Sequence, residues 1–250
     1  MSQELPLSNI KDEVDRLLER FSASGLTARL IGGGAIAQHR HVDVPEALVR
    51  AFGDIDLVIR RGDQGRLSQV MEDEGYTPNQ RFNSLHGQWR LLFYDTVNSR
   101  QVDVFNGVFQ MCHSLDLNQR LGVHSSTLSP ADLLLTKLQV VQVNRKDLID
   151  ALHLIYTHEV GTEAEGDCIG IDRLVEVTKG DWGWYTTFTD NLARLCPLAE
   201  AELSAEQAAV LSARIAAIEL ALGQAPKSLR WKARAQVGRR ISWYELPEEN

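Results

Sequence analysis

The sequence predicts an α/β (α+β) N-terminal region followed by an all-α C-terminal region, with a seam between residues 115 and 165. Two patterns carry this. Up to about residue 107, short apolar runs of β type alternate with amphipathic helical stretches; from Leu128 onward every apolar pattern has helical spacing. A third observation is a run of three glycines, Gly32, Gly33 and Gly34, between the first strand pattern and the helical pattern after it.

The elements follow in order. Residues Ser8 to Phe21 repeat Ile10, Val14, Leu17, Leu18 and Phe21 at helical spacing, with Ser8 as the expected cap and Ser24-Gly25 as the stop. LTARLIGG reads as a short strand running into the glycines, and AIAQHRH begins a helix that Pro45 interrupts. DIDLVI is the next strand and GRLSQVMEDEGY a helix ending at Gly75. QWRLLFYD and RQVDVFNG are two strands joined across TVNS, a connection short enough to require an antiparallel hairpin. Beyond them SPADLLLTKLQVVQVNRKDLIDALHLIYTHE, with Pro130 after Ser129, predicts one or two packed helices, and SAEQAAVLSARIAAIELALG another.

At 250 residues, 44% hydrophobic and 24% charged, the chain is expected to bury one large core or two modest ones. A formal net charge of -8 argues against a protein that coats nucleic acid through bulk electrostatics. Cys112, Cys168 and Cys196 form no CxxC pair and read as buried small hydrophobes in a reducing compartment. The polar, acidic start lacks an apolar signal core, and LSARIAAIELAL carries Arg214 and Glu219, so no membrane segment is expected and the predicted location is cytoplasmic.

Chemistry concentrates in FGDIDLVIRR. Asp54 and Asp56 alternate at the mouth of an apolar strand, so they stand on one face with Cα atoms roughly 6 to 7 Å apart. Two carboxylates that close repel unless something positive lies between them. Asp103, between Val102 and Val104, points to the face opposite those valines; if its strand lies beside DIDLVI, three carboxylates converge. Hard oxygen ligands of that kind suit Mg²⁺ or Mn²⁺ carried on phosphates, and Gly32, Gly33 and Gly34 would offer backbone N–H groups to the same phosphates. The competing reading of the acids is a solvated strand end. GGGAIA also fits GxGxxA through Gly32, Gly34 and Ala37, with Asp54 further on, as in NAD(P)-binding Rossmann proteins. In those the acid follows the second strand, whereas Asp54 and Asp56 open it.

LIGGGAIA, GDIDLVI and QVDVF, in this order, resemble the glycine motif, the Asp-x-Asp motif and the third acid of the nucleotidyltransferase superfamily of DNA polymerase beta and the antibiotic nucleotidyltransferases. The long spacing from glycines to DID is more similar to the branch with the abortive-infection type toxins. SPADLLLTKLQVVQVNRKDLIDAL resembles that branch's downstream helix through Lys137, Arg145, Lys146, Asp147 and Asp150. Where many members carry Gly-Ser, this chain has Gly-Gly. The resemblance implies a catalytic domain with a small mixed sheet over residues 1–125, a helical domain over 126–250, and transfer of a nucleoside monophosphate from an NTP, ATP by default, to a hydroxyl. It implies catalytic and metal roles for Asp54, Asp56 and Asp103, phosphate contacts from Gly32, Gly33, Gly34, Lys137 and Arg145, and Mg²⁺ or Mn²⁺ as cofactor. A non-catalytic binding module on the same fold is the alternative.

Other features have plainer readings. Lys137, Arg145 and Asp147 also fit the wet side of an amphipathic helix, with Asp147 and Asp150 pairing nearby basic residues. His39 and His41, without a third ligand nearby in sequence, read as exposed polar residues. Trp182, Trp184, Tyr185 and Phe188 read as core. Lys227, Arg230, Lys232, Arg234, Arg239 and Arg240 surround Trp231 without an intervening acid, so this segment is the candidate contact for an RNA acceptor, set against a solvated helix face.

Overall fold

The structure is a computed structural model and describes residues 5–40, 43–165 and 167–246. The chain divides into two compact units, the first comprising residues 1–38, 51–110 and 114–128, the second residues 39–50, 111–113 and 129–250.

The first unit begins with helix α1 (Ile10–Ala23), whose Val14, Leu17 and Phe21 are buried. Its cap is Asn9 rather than Ser8: the Asn9 side chain accepts from the N–H groups of Lys11 and Asp12. Strand β1 (Ala28–Ile31) passes straight into helix α2 (Gly32–Gln38), so the glycines form the helix's first turn instead of a loop before it. Then come β2 (Ile55–Ile59), α3 (Gln64–Asp73), β3 (Thr77–Pro78), α4 (Gln80–His86), β4 (Arg90–Asp95) and β5 (Arg100–Asn106). A small hairpin of β6 (Val108–Gln110) and β7 (Ser114–Asp116) follows.

The five-stranded sheet has the order β1-β2-β5-β4-β3. β2 runs parallel to β5, and the other pairs are antiparallel, including the expected β4–β5 hairpin. A doubly wound dinucleotide fold needs successive parallel strands. This mixed sheet has a single parallel pair, and Asp54 precedes β2 instead of following it, which removes the Rossmann reading.

In the second unit α5 (Pro130–Leu138) is buried at every residue, so the segment is apolar all round except where ion pairs or hydrogen bonds satisfy it. Ser129 caps it by accepting from the Asp132 N–H, with Pro130 in the first turn. Helix α6 (Arg145–Thr157), the two-residue strands β8 (Val160–Gly161) and β9 (Ile169–Gly170), and helices α7 (Ile171–Gly180), α8 (Trp182–Leu192), α9 (Leu195–Glu202), α10 (Ala205–Gln224) and α11 (Leu229–Val237) complete it. Trp184 and Phe188 are core as expected, whereas Trp182 and Tyr185 are half-buried. Of the cysteines only Cys112 is buried; Cys168 and Cys196 are partly exposed. No single helix among the described residues is long and apolar enough to cross a membrane.

Candidate active site

Strand β2 explains the first acids. Ile55, Leu57, Val58 and Ile59 are buried, and Asp56 is its one partly exposed residue. A polar group at such a position is retained at a cost in core burial. Asp54 is exposed, one residue before the strand.

The register supplies the third acid. Because β2 and β5 are parallel neighbours, Asp56 stands directly beside Asp103, with Ile55 beside Val102 and Leu57 beside Val104. Both valines are fully buried, which fixes Asp103 on the opposite face. Side by side in adjacent strands, the two carboxylates repel unless compensated.

Part of that compensation comes from a residue the sequence did not single out. Asp103 Oδ1 accepts from Arg90 Nε and Nη2, each at 2.7 Å, and its Oδ2 accepts from Gln101 Nε2 at 2.7 Å. The Arg90 guanidinium is itself held over the rings of Phe82 and Phe105, at 5.7 and 5.3 Å from their centroids. Arg90 opens β4 opposite Phe105, and its partner acid lies across the strand pair, so no short motif reveals it.

The glycine run meets this cluster. Gly32 has φ +64°, and a Cβ there would collide with the Asp56 carboxylate, so only glycine lets the turn from β1 into α2 press against that acid. Gly34 is closely packed: a Cβ would lie 3.2 Å from Leu30 Cδ2 and 3.3 Å from Phe52 Cε2, so those side chains would have to give by a few tenths of an ångström. Gly33 is half-buried between them. The donor set of Asp54, Asp56 and Asp103 is all carboxylate oxygen, and a carboxylate has about four lone-pair sites, so Asp103 keeps acceptor capacity beyond Arg90 and Gln101. Carboxylate oxygen is the donor type that a hard divalent cation of the Mg²⁺ or Mn²⁺ kind takes; the structure sets Asp56 beside Asp103 but does not bring all three carboxylates within 4.8 Å of one another.

The other expected phosphate ligands lie in the second unit. Lys137 is buried, with its ammonium 2.7 Å from Asp147 Oδ1 and 2.8 Å from Asp150 Oδ2. Burial opposes its charge, but the Asp150 and Asp147 carboxylates prevail and hold its pKa above the ordinary lysine value. Asp150 also receives Arg50 through two bonds of 2.7 and 2.5 Å. Arg145 is exposed and pairs with Glu202 at 2.6 Å.

In the C-terminal segment, Lys227 lies over Tyr185 and donates to the Leu222 carbonyl, Arg234 stacks on Trp182, and Arg239 forks onto Asp190. Arg230, Lys232 and Arg240 are exposed. Half of this basic cluster thus pins the chain's end onto α8. His39, expected to be exposed, is buried, and His41 lies outside the described residues.

No curated protein matches the chain. Among solved structures it is similar to the antibiotic-resistance factor ANT(2'')-Ia, at 10% identity and a TM-score of 0.44, covering 78% of this chain and 98% of that one. It is also similar to an antigenic nucleotidyltransferase-like protein from Paracoccidioides brasiliensis, at 14% identity and a TM-score of 0.49, covering 84% of this chain and 95% of that one. Residues 8–160, which span the sheet, the acid cluster, α5 and α6, match a family described as an uncharacterised nucleotidyltransferase, and the chain belongs to that family.

Proposed function

We propose that the chain is a metal-dependent nucleotidyltransferase that moves a nucleoside monophosphate from an NTP to a hydroxyl on a small molecule, a tRNA or a protein. The observation that carries this reading is the parallel register that sets Asp103 beside Asp56, with Asp54 two residues ahead. Asp54 and Asp56 would hold Mg²⁺ or Mn²⁺. When bound, such an ion neutralises triphosphate charge and stabilises the leaving pyrophosphate.

The remaining work belongs to the chain. Asp103, steered by Arg90 and Gln101, orients the acceptor hydroxyl and takes its proton as the oxygen attacks. Gly32 and Gly33 present side-chain-free backbone to the phosphates beside Asp56. Lys137 and Arg145 differ in what a phosphate would displace: two carboxylates in a buried network for Lys137, one exposed ion pair for Arg145. Arg145 is therefore the cation of the two that can turn to an anion at small cost.

The test is transfer of α-labelled NTPs, ATP first, with Mg²⁺ or Mn²⁺ into fractionated cell extract. Asp54→Asn and Asp56→Asn should each lose about 10³-fold or more of the transfer while remaining folded. Full activity in both variants would remove these acids from the reaction. The second reading, a binding module, draws on the occupation of both Asp103 oxygens by Arg90 and Gln101. NTP binding without turnover in the wild type would select it.

A further inference from the structure

His39, His158 and Asp167 form a second cluster of ligand-type side chains, in the helical unit, and unlike the acids it offers two imidazoles. We propose that these three residues bind one transition-metal ion of the Zn²⁺ class. His39 and His158 are 5% and 2% exposed, and His158 Nε2 lies 3.0 Å from His39 Nδ1. Their rings meet edge to face, 4.8 Å between centroids and 75° between planes. In the structure one nitrogen donates and the other accepts.

The same arrangement suits a metal. Two imidazole nitrogens on one tetrahedral Zn²⁺, at about 2.0–2.1 Å each, lie about 3.3 Å apart. The pair therefore needs to open by only a few tenths of an ångström, and the ion takes the place of the proton between them. The far side of His158 supports this. Its Nδ1 is 3.3 Å from the Asp167 carbonyl and 3.6 Å from the Asp167 carboxylate. A proton held at Nδ1 by that carbonyl leaves Nε2 with its lone pair, the outer hydrogen bond that orients most metal-binding histidines.

Asp167 supplies the third ligand. One candidate ligand atom from each residue lies within 4.8 Å of the other two, and the Asp167 side chain is half exposed, so its carboxylate can swing inward and the ion has a way in. Two imidazoles with one carboxylate favour Zn²⁺ over Mg²⁺, and leave a fourth position for water. His39 comes from a segment distant from the other two. His39 follows α2, His158 caps the end of α6, and Asp167 lies between β8 and β9. The sequence separation of 119 between the histidines is why HRH alone gave no third ligand.

The experiment uses the full-length chain stripped with a chelator and titrated with Co²⁺, read by visible ligand-field absorption. The expected result is one equivalent bound with a tetrahedral-type band, displaced by Zn²⁺, and a rise of about 5 °C in Tm with saturating Zn²⁺ but not with Mg²⁺. His39→Gln and His158→Gln should abolish the band, and Asp167→Asn, half exposed and able to fold, should weaken binding ten-fold or more. Asp56→Asn should leave the band intact. Absence of the band in the wild type, full-affinity binding in Asp167→Asn, or loss of the band in Asp56→Asn with retention in His158→Gln would each overturn the proposal.

Discussion

Asp54, Asp56 and Asp103 pass from exposed to half-buried to buried, so the first charged cluster stays open to solvent at one end. Asp150 with Lys137, Asp147 and Arg50 forms the second, where the Asp150 carboxylate is sealed between an ammonium and a guanidinium. In both, acids on regular elements meet basic partners: Asp103 on β5 meets Arg90, and Asp150 on α6 meets Lys137 and Arg50. The difference lies in where the charge is spent. In the helical unit it satisfies a lysine buried on α5; in the sheet unit Asp56 stays partly and Asp54 fully exposed to solvent.

That contrast predicts opposite responses to losing an acid. Asp150→Ala should destabilise by about 3 kcal/mol or more, since it removes the buried carboxylate that Lys137 and Arg50 share; Asp54→Asn should change stability by less than about 0.5 kcal/mol. Chemical denaturation of the two variants decides it. Equal effects would erase the distinction between the clusters.

The sealed unit carries a pH signature next. Burial pushes the His113 pKa down to about 4, and its Nε2 meets Thr187 Oγ1 at 2.8 Å. Burial likewise lowers His153. In the unfolded chain both titrate near the ordinary value of about 6.5, so from there down to about pH 4 the unfolded state binds more protons and stability falls. His113 alone accounts for a loss of about 3 kcal/mol across that window, and His113→Gln should flatten the stability profile between pH 6.5 and 4.

Gly32→Ala tests the open cluster from its backbone side. The positive φ and the collision with Asp56 should cost about 1–3 kcal/mol and displace that carboxylate. Melting and NTP-transfer assays on one preparation should fall together. The smallest effect belongs to Arg145→Ala, less than about 0.5 kcal/mol, because its pair with Glu202 is exposed.

Much of this was readable in the sequence where one strand or helix held the whole pattern. β2, the β4–β5 hairpin, α1, α3 and the Ser129-Pro130 start of α5 all carry local period and capping signals. Strands of two or three residues, β3 and β6 to β9, are too short to show a period. The glycines were legible as a special backbone, but not as the first turn of α2, since glycine is a weak helix former and only the contact with Asp56 explains it. Arg90 stayed hidden because its acid is a neighbour across the sheet. Lys137 looked like the wet side of a helix and is buried, because its partners Asp147 and Asp150 lie on the next helix.

The parallel pairing of β2 with β5 has a consequence for how the protein assembles. Asp56 and Asp103 are separated along the chain by α3, β3, α4 and β4, so the acids meet only after a long loop has closed. Closure of that kind is slow, and the β4–β5 hairpin is a local structure that can form before it. Refolding should therefore show hairpin protection in hydrogen exchange ahead of β2 protection, and the pairing of Asp56 with Asp103 should be completed in the last phase.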